Sequence, residues 1–75
     1  MTKYLVVSPT FSDFRAGEPE AFRIAEAALE YMRPWEIVKH GVYNGHKIEL
    51  NNDNTEISVW IHNDEKPFKF IVVAV

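Results

Sequence analysis

The sequence has 75 residues, of which 47% are hydrophobic and 13% aromatic, so it can build one core in one small domain. It contains no cysteine, which excludes disulfides and thiolate zinc sites. The formal net charge of -3 is spread along the chain without a basic block, so no nucleic-acid partner is favoured. We expect a single globular domain over residues 1–75.

The first strand is predicted over residues 2–8, with Tyr4 and Val6 on one face and Leu5 and Val7 on the other. Apolar residues on both faces are typical of a strand inside a sheet. This apolar stretch is too short for a signal peptide or a membrane span, so we expect a cytoplasmic protein without a membrane partner.

Residues 9–17 are predicted to form a loop because they are rich in Pro, Ser, Asp and Gly. The loop also carries Phe11 and Phe14. We interpret these rings as a plug at one end of the core, and a tip that binds a partner is the alternative.

Residues 19–33 show the helical period most clearly. Pro19 suits the first turn, because its fixed φ and missing N–H fit that position. Small alanines occupy the middle of a wide apolar half, and charged residues form a narrow stripe opposite. We therefore expect a helix that lies close on a sheet and ends before Pro34.

Residues 35–43 alternate in polarity and are predicted to form the second strand, at an edge of the sheet. Asn44-Gly45 then predicts a type I′ turn, since both residues tolerate positive φ. This turn sets a register between the second and third strands. The expected pairs are Tyr43 with His46, Val42 with Lys47, Gly41 with Ile48, His40 with Glu49 and Lys39 with Leu50.

Residues 56–62 and 68–75 are predicted to be the last two strands. The resulting order is β-α-β-β-β-β, an α+β fold with a single helix packed across one face of a mostly antiparallel five-stranded sheet. If each element reverses the one before it, the first and last strands run antiparallel and can pair. We therefore predict the strand order 2-3-4-5-1.

No residue pattern in the sequence carries a catalytic or metal-binding signature. The three histidines, His40, His46 and His62, do not converge in the predicted register, as ligands of a zinc ion would. Glu26 and Glu30 share the polar stripe of the helix with arginines, which favours solvated charge balance. We expect no metal, no cofactor and no enzymatic activity.

The outer face of the last two strands, together with one side of the first strand, is unusually apolar for an open surface. Trp60 is expected to stand beside Lys69 and Ile71, near the middle of this apolar patch. Exposed apolar patches mark association sites, and tryptophan is enriched in them. The alternative is that the sheet curls or the loop over residues 9–17 covers this face within the monomer. The residues expected to contact a partner are Trp60, His62, Lys69, Ile71, Val73 and Val75, with Phe11 and Phe14 as a second candidate.

These observations favour a protein-binding module that docks through a sheet face or edge. Compact, cysteine-free chains of this size are common among bacteriophage accessory proteins that inhibit host machinery, including defence proteins, and we expect a role of that kind. One alternative is a structural homodimer that pairs through the outer sheet face. Another is a small enzyme or ligand carrier with a pocket between helix and sheet.

Overall fold

The structure, a computed structural model, describes residues 3–7, 17–61 and 66–75. Within these ranges it is an α+β fold with one antiparallel sheet of five strands in the order β1-β5-β4-β3-β2 and two helices. The predicted α+β class and strand order are confirmed, but the predicted single helix is one of two. The elements are β1 (Tyr4–Val7), α1 (Glu18–Tyr31), α2 (Pro34–His40), β2 (Val42–Tyr43), β3 (His46–Leu50), β4 (Glu56–Trp60) and β5 (Phe68–Ala74).

Helix α1 covers the inner face of the sheet over β1, β5 and β4. It packs closely because Ala21, Ala25 and Ala28, which are fully buried, bring its backbone near the strands. The Phe22 and Phe70 rings meet edge to face, with centroids 5.6 Å apart. The predicted small-residue seam is therefore the contact between helix and sheet.

The second predicted strand, over residues 35–43, is wrong for most of its length. Residues Pro34–His40 form helix α2 instead, and only Val42–Tyr43 remain extended. Pro34 occupies the first turn, and Arg33 before it has the extended φ and ψ of a helix N-cap. Gly41 ends the helix with φ 64, a left-handed conformation that glycine adopts without strain.

This correction removes two predicted cross-strand pairs, His40 with Glu49 and Lys39 with Leu50, because His40 and Lys39 belong to α2. The remaining register is confirmed. Val42 pairs with Lys47 and Tyr43 with His46, and the Ile48 N–H donates to the Gly41 carbonyl at 2.7 Å.

The turn between β2 and β3 is built as predicted. Asn44 has φ 50 and Gly45 has φ 80, and positive φ at both central positions is what a type I′ turn requires.

The core lies between α1 and the inner face of the sheet, with α2 closing one side. Along β3, β4 and β5, alternate side chains point into it. Two apolar residues at the ends of their elements lie outside the core: Tyr31 is 73% exposed at the end of α1, and Ala74 is exposed at the end of β5. The core residues of the strands and of α2 are Ile37, Ile48, Leu50, Ile57, Val59, Ile61, Phe68, Phe70 and Val72.

Candidate protein-binding surface

A cluster of aliphatic side chains lies on the outer face of β1 and β5, away from α1. Leu5 of β1 lies opposite Val73 of β5, and Val7 lies opposite Ile71. These four side chains and Val75 are between 41% and 64% exposed. We call Leu5, Val7, Ile71, Val73 and Val75 the outer-face patch.

The outer-face patch unites three residues expected to bind a partner, Ile71, Val73 and Val75, with Leu5 and Val7 from the first strand. One side of the first strand was expected in this patch, because the order 2-3-4-5-1 places β1 beside β5, and the structure identifies that side as Leu5 and Val7. Alternation along β1 then fixes which face they occupy. The patch therefore lies at one edge of the sheet and not at its centre.

Trp60 is on the outer face, as predicted from its position between the buried residues Val59 and Ile61. Its contact with β3 was not predicted, however. The Lys47 ammonium lies 4.7 Å from the centroid of the Trp60 ring, a distance at which a cation is attracted to an aromatic face. Trp60 is thus covered in part by a neighbouring strand.

Trp60 was expected to stand beside Ile71, and the register shows that it does not. Ile71 faces Glu56, which precedes Trp60 by four positions on β4. At the rise of a β-strand this separates the two side chains by about 13 Å. The role of Trp60 in binding stays a prediction, but its ring is not part of the outer-face patch.

Of the remaining predicted contact residues, one lies within the described residues and three do not. Lys69 is exposed on the outer face opposite Ser58, between the outer-face patch and Trp60. His62, Phe11 and Phe14 lie outside the described residues, so their assignments stay predictions.

A second surface feature is a groove between α2 and β3. It has a volume of about 660 Å³ and is lined by residues 38–42, which include the end of α2, and by residues 47–52, which include most of β3. Val38 stands exposed along its helical side, at 56%, and Trp35, at 60%, lines a smaller neighbouring pocket. The groove is a consequence of α2 and was not predicted. It lies at the opposite edge of the sheet from the outer-face patch.

The pocket expected for a ligand carrier was placed between the helix and the sheet. In the structure that space is occupied by the fully buried alanines of α1, such as Ala25. The α2 groove lies elsewhere, so it does not correspond to the predicted pocket.

The ionisable residues are dispersed. Within the described ranges, no three His, Asp or Glu side chains come together in a way that could hold a metal ion. Glu18, at the start of α1, is 7% exposed, and its Oε2 has no hydrogen-bond partner among the described residues. His40 lies exposed at the end of α2, and His46 lies beside the hairpin turn.

Comparisons with known proteins found no match, so the functional inference rests on the geometry of the surface. No family model matches the sequence, and no curated protein or solved structure matches it. In the part of the chain that the structure describes, no helix is long and apolar enough to cross a membrane.

Proposed function

We propose that this protein is a non-enzymatic binding module that docks onto another protein through the outer-face patch. The observation that carries the proposal is the pairing of Leu5 with Val73 and Val7 with Ile71 across β1 and β5. All four side chains point away from the core, and each is more than 40% exposed. Contiguous exposed aliphatic surface of this kind marks association sites.

The partner implied by this chemistry is a protein with a flat apolar surface. The side chains of the patch carry no charge, and the nearest charged residues on the outer face are Lys3, Lys69 and Glu56. A polar rim around an apolar centre is the usual anatomy of a protein interface. An inhibitory role of the bacteriophage accessory type is one form that such a module can take.

The experiment is affinity capture with a matched pair of variants. Val73→Lys places a charge at the centre of the patch, and Glu49→Lys places the same side chain on the exposed part of β3 outside it. A genuine partner is retained by the wild type and by Glu49→Lys and is lost by Val73→Lys. We expect the loss to correspond to about 2 kcal/mol or more of binding free energy.

Capture that is equally strong with all three proteins would show that the partner does not use the outer-face patch. Because residue 73 is already 41% exposed, Val73→Lys is expected to melt within a few degrees of the wild type. A thermal melt of each variant checks this and separates lost binding from lost folding.

A further inference from the structure

The open side of β1 has a defined hydrogen-bonding pattern. Lys3 and Val75 exchange both main-chain hydrogen bonds across β1 and β5. Because such pairs alternate along an antiparallel ladder, Leu5 and Val7 also direct their N–H and C=O groups toward β5. The N–H and C=O groups of Tyr4 and Val6 therefore point away from β5, toward the edge of the sheet.

The two edges of the sheet are protected differently. At the β2 edge the strand has two residues, and beyond it α2 packs against β3. At the β1 edge no described strand pairs with Tyr4–Val7 on the side away from β5, and this strand contains no proline and no charged residue. Natural proteins usually protect exposed sheet edges from pairing with prolines or charged residues.

We propose that β1 pairs with β1 of a second copy of this chain, antiparallel across a twofold axis at Leu5. In this register Tyr4 of each copy lies opposite Val6 of the other copy, and each such pair exchanges both main-chain hydrogen bonds. All the edge groups of Tyr4 and Val6 are then satisfied. Leu5 faces Leu5 of the second copy, and Lys3 faces Val7 of the second copy, so the lysines are kept apart.

The size of the outer-face patch gives an independent argument that the partner of β1 is a second copy of the chain. Five side chains with these exposed fractions present on the order of 400 Å² of apolar surface. A stable interface needs about 800 Å² from each partner. The patch of one copy therefore supplies about half of the area needed to bind a partner protein. Pairing through β1 brings both patches together on the same face, because Leu5 and Val7 lie on the strand at the axis.

The inference rests on the proposed function, since it makes the docking surface a composite of two copies. It is also compatible with the fold: α1 lies on the inner face, and the outer-face patch lies on the other. Two copies joined at β1 then form one continuous sheet with its helices on one side and its apolar surface on the other.

The decisive experiment is a charge exchange at Leu5, followed by sedimentation velocity. Leu5 is 46% exposed, so Leu5→Lys and Leu5→Glu are expected to fold. In the proposed register each variant alone places like charges directly opposite each other at the axis, which destabilises the pairing. We expect the wild type to sediment as a dimer at about 100 μM, each variant alone as a monomer, and an equimolar mixture of the two as a dimer.

The control is Val73→Lys, which carries the same charge on β5, one strand away from the axis. It is expected to remain dimeric while losing the partner protein. If the exchange at Leu5 behaves as described but Val73→Lys still binds the partner, the dimer is correct and the proposed docking face is wrong. If Leu5→Lys is monomeric and still binds the partner as tightly as the wild type, the composite surface is wrong.

Three results overturn the dimer itself. One is a wild type that sediments as a monomer up to about 1 mM. Another is a dimer that persists in Leu5→Lys alone. The third is a monomer in which the Tyr4 and Val6 amides exchange slowly with solvent deuterium, because the edge is then covered within one copy.

Discussion

The main-chain N–H of Arg33 donates a hydrogen bond to Glu36 Oε2 at 2.8 Å, and the Glu36 N–H donates to the Arg33 carbonyl at the same distance. This reciprocal contact fixes the start of α2. It satisfies one main-chain donor that the first turn of a helix otherwise leaves unpaired. A helix of seven residues is too short to be stable by propensity alone, so its ends matter.

We therefore expect Glu36→Ala to lower the free energy of unfolding by about 1 kcal/mol. Glu36→Gln should lose much less, because a glutamine side chain can make the same contact. The exposed Glu30 of α1 supplies the control, and Glu30→Ala should change stability by less than about 0.5 kcal/mol. Urea denaturation of the three variants measures the difference. Equal losses for Glu36→Ala and Glu30→Ala would show that the contact does not stabilise α2.

Two glycines with positive φ differ in what surrounds them. A Cβ at Gly41 would lie 3.1 Å from the Ile48 carbonyl oxygen, whereas a Cβ at Gly45 would meet nothing within 4 Å. Both alanine substitutions incur left-handed strain of about 1–2 kcal/mol. Gly41→Ala also forces α2 away from β3, so we expect it to be the more destabilising change. Thermal or urea melts that rank Gly45→Ala as the worse variant would contradict this packing.

The seam between α1 and the sheet has no room for larger side chains. Ala25 is fully buried there, and Ala25→Leu is expected to cost about 1–3 kcal/mol of stability through overpacking. Ala27 lies on the partly exposed side of the same helix, so Ala27→Leu should be tolerated. The chemical-denaturation midpoints of the pair test the assignment. A stable Ala25→Leu protein would mean that the helix stands further from the strands.

Trp60 offers a spectroscopic test of the outer face. Because its ring is only partly buried and lies against Lys47, Trp60→Ala should cost about 1 kcal/mol, not the 3–5 kcal/mol expected for a core tryptophan. In a Trp35→Phe background, which leaves Trp60 as the remaining indole, Lys47→Ala should change the fluorescence of the folded protein. An unfolded Trp60→Ala variant, or unchanged emission after Lys47→Ala, would refute this placement.

The sequence correctly predicted the elements whose periodicity is clear. The prediction was wrong where the periods of a strand and of a helix fit the same residues. Over residues 35–43 the alternation of a strand is satisfied, but Pro34, Ile37 and Val38 also have the i, i+3, i+4 spacing of one helix face. The outcome depends on signals at the ends. Pro34 at the start, Glu36 two residues later and Gly41 after the last turn all favour α2. These signals are present in the sequence and outweigh the alternation.

The outer-face patch was predicted in part for a different reason. Alternation correctly identified which residues point outward, including Ile71 and Trp60, because each strand is buried on one side only. Which outward residues are neighbours depends on register, and register is set by the turn that joins two strands. Asn44-Gly45 fixes it for β2 and β3. The longer connection between β4 and β5 carries no comparable turn signal, so Trp60 was placed too near Ile71.

The pairing of β1 with β5 has a kinetic consequence. The strands β2 to β5 follow one another as a meander, so their contacts can form between segments that are close in sequence. The contact between Lys3 and Val75 joins segments separated by nearly the whole chain, which carries the largest loop-closure entropy. We therefore expect β1 to be the last strand to form during folding and the first to detach. The proposed edge of assembly is then created only when folding is complete, so partly folded chains do not yet present it.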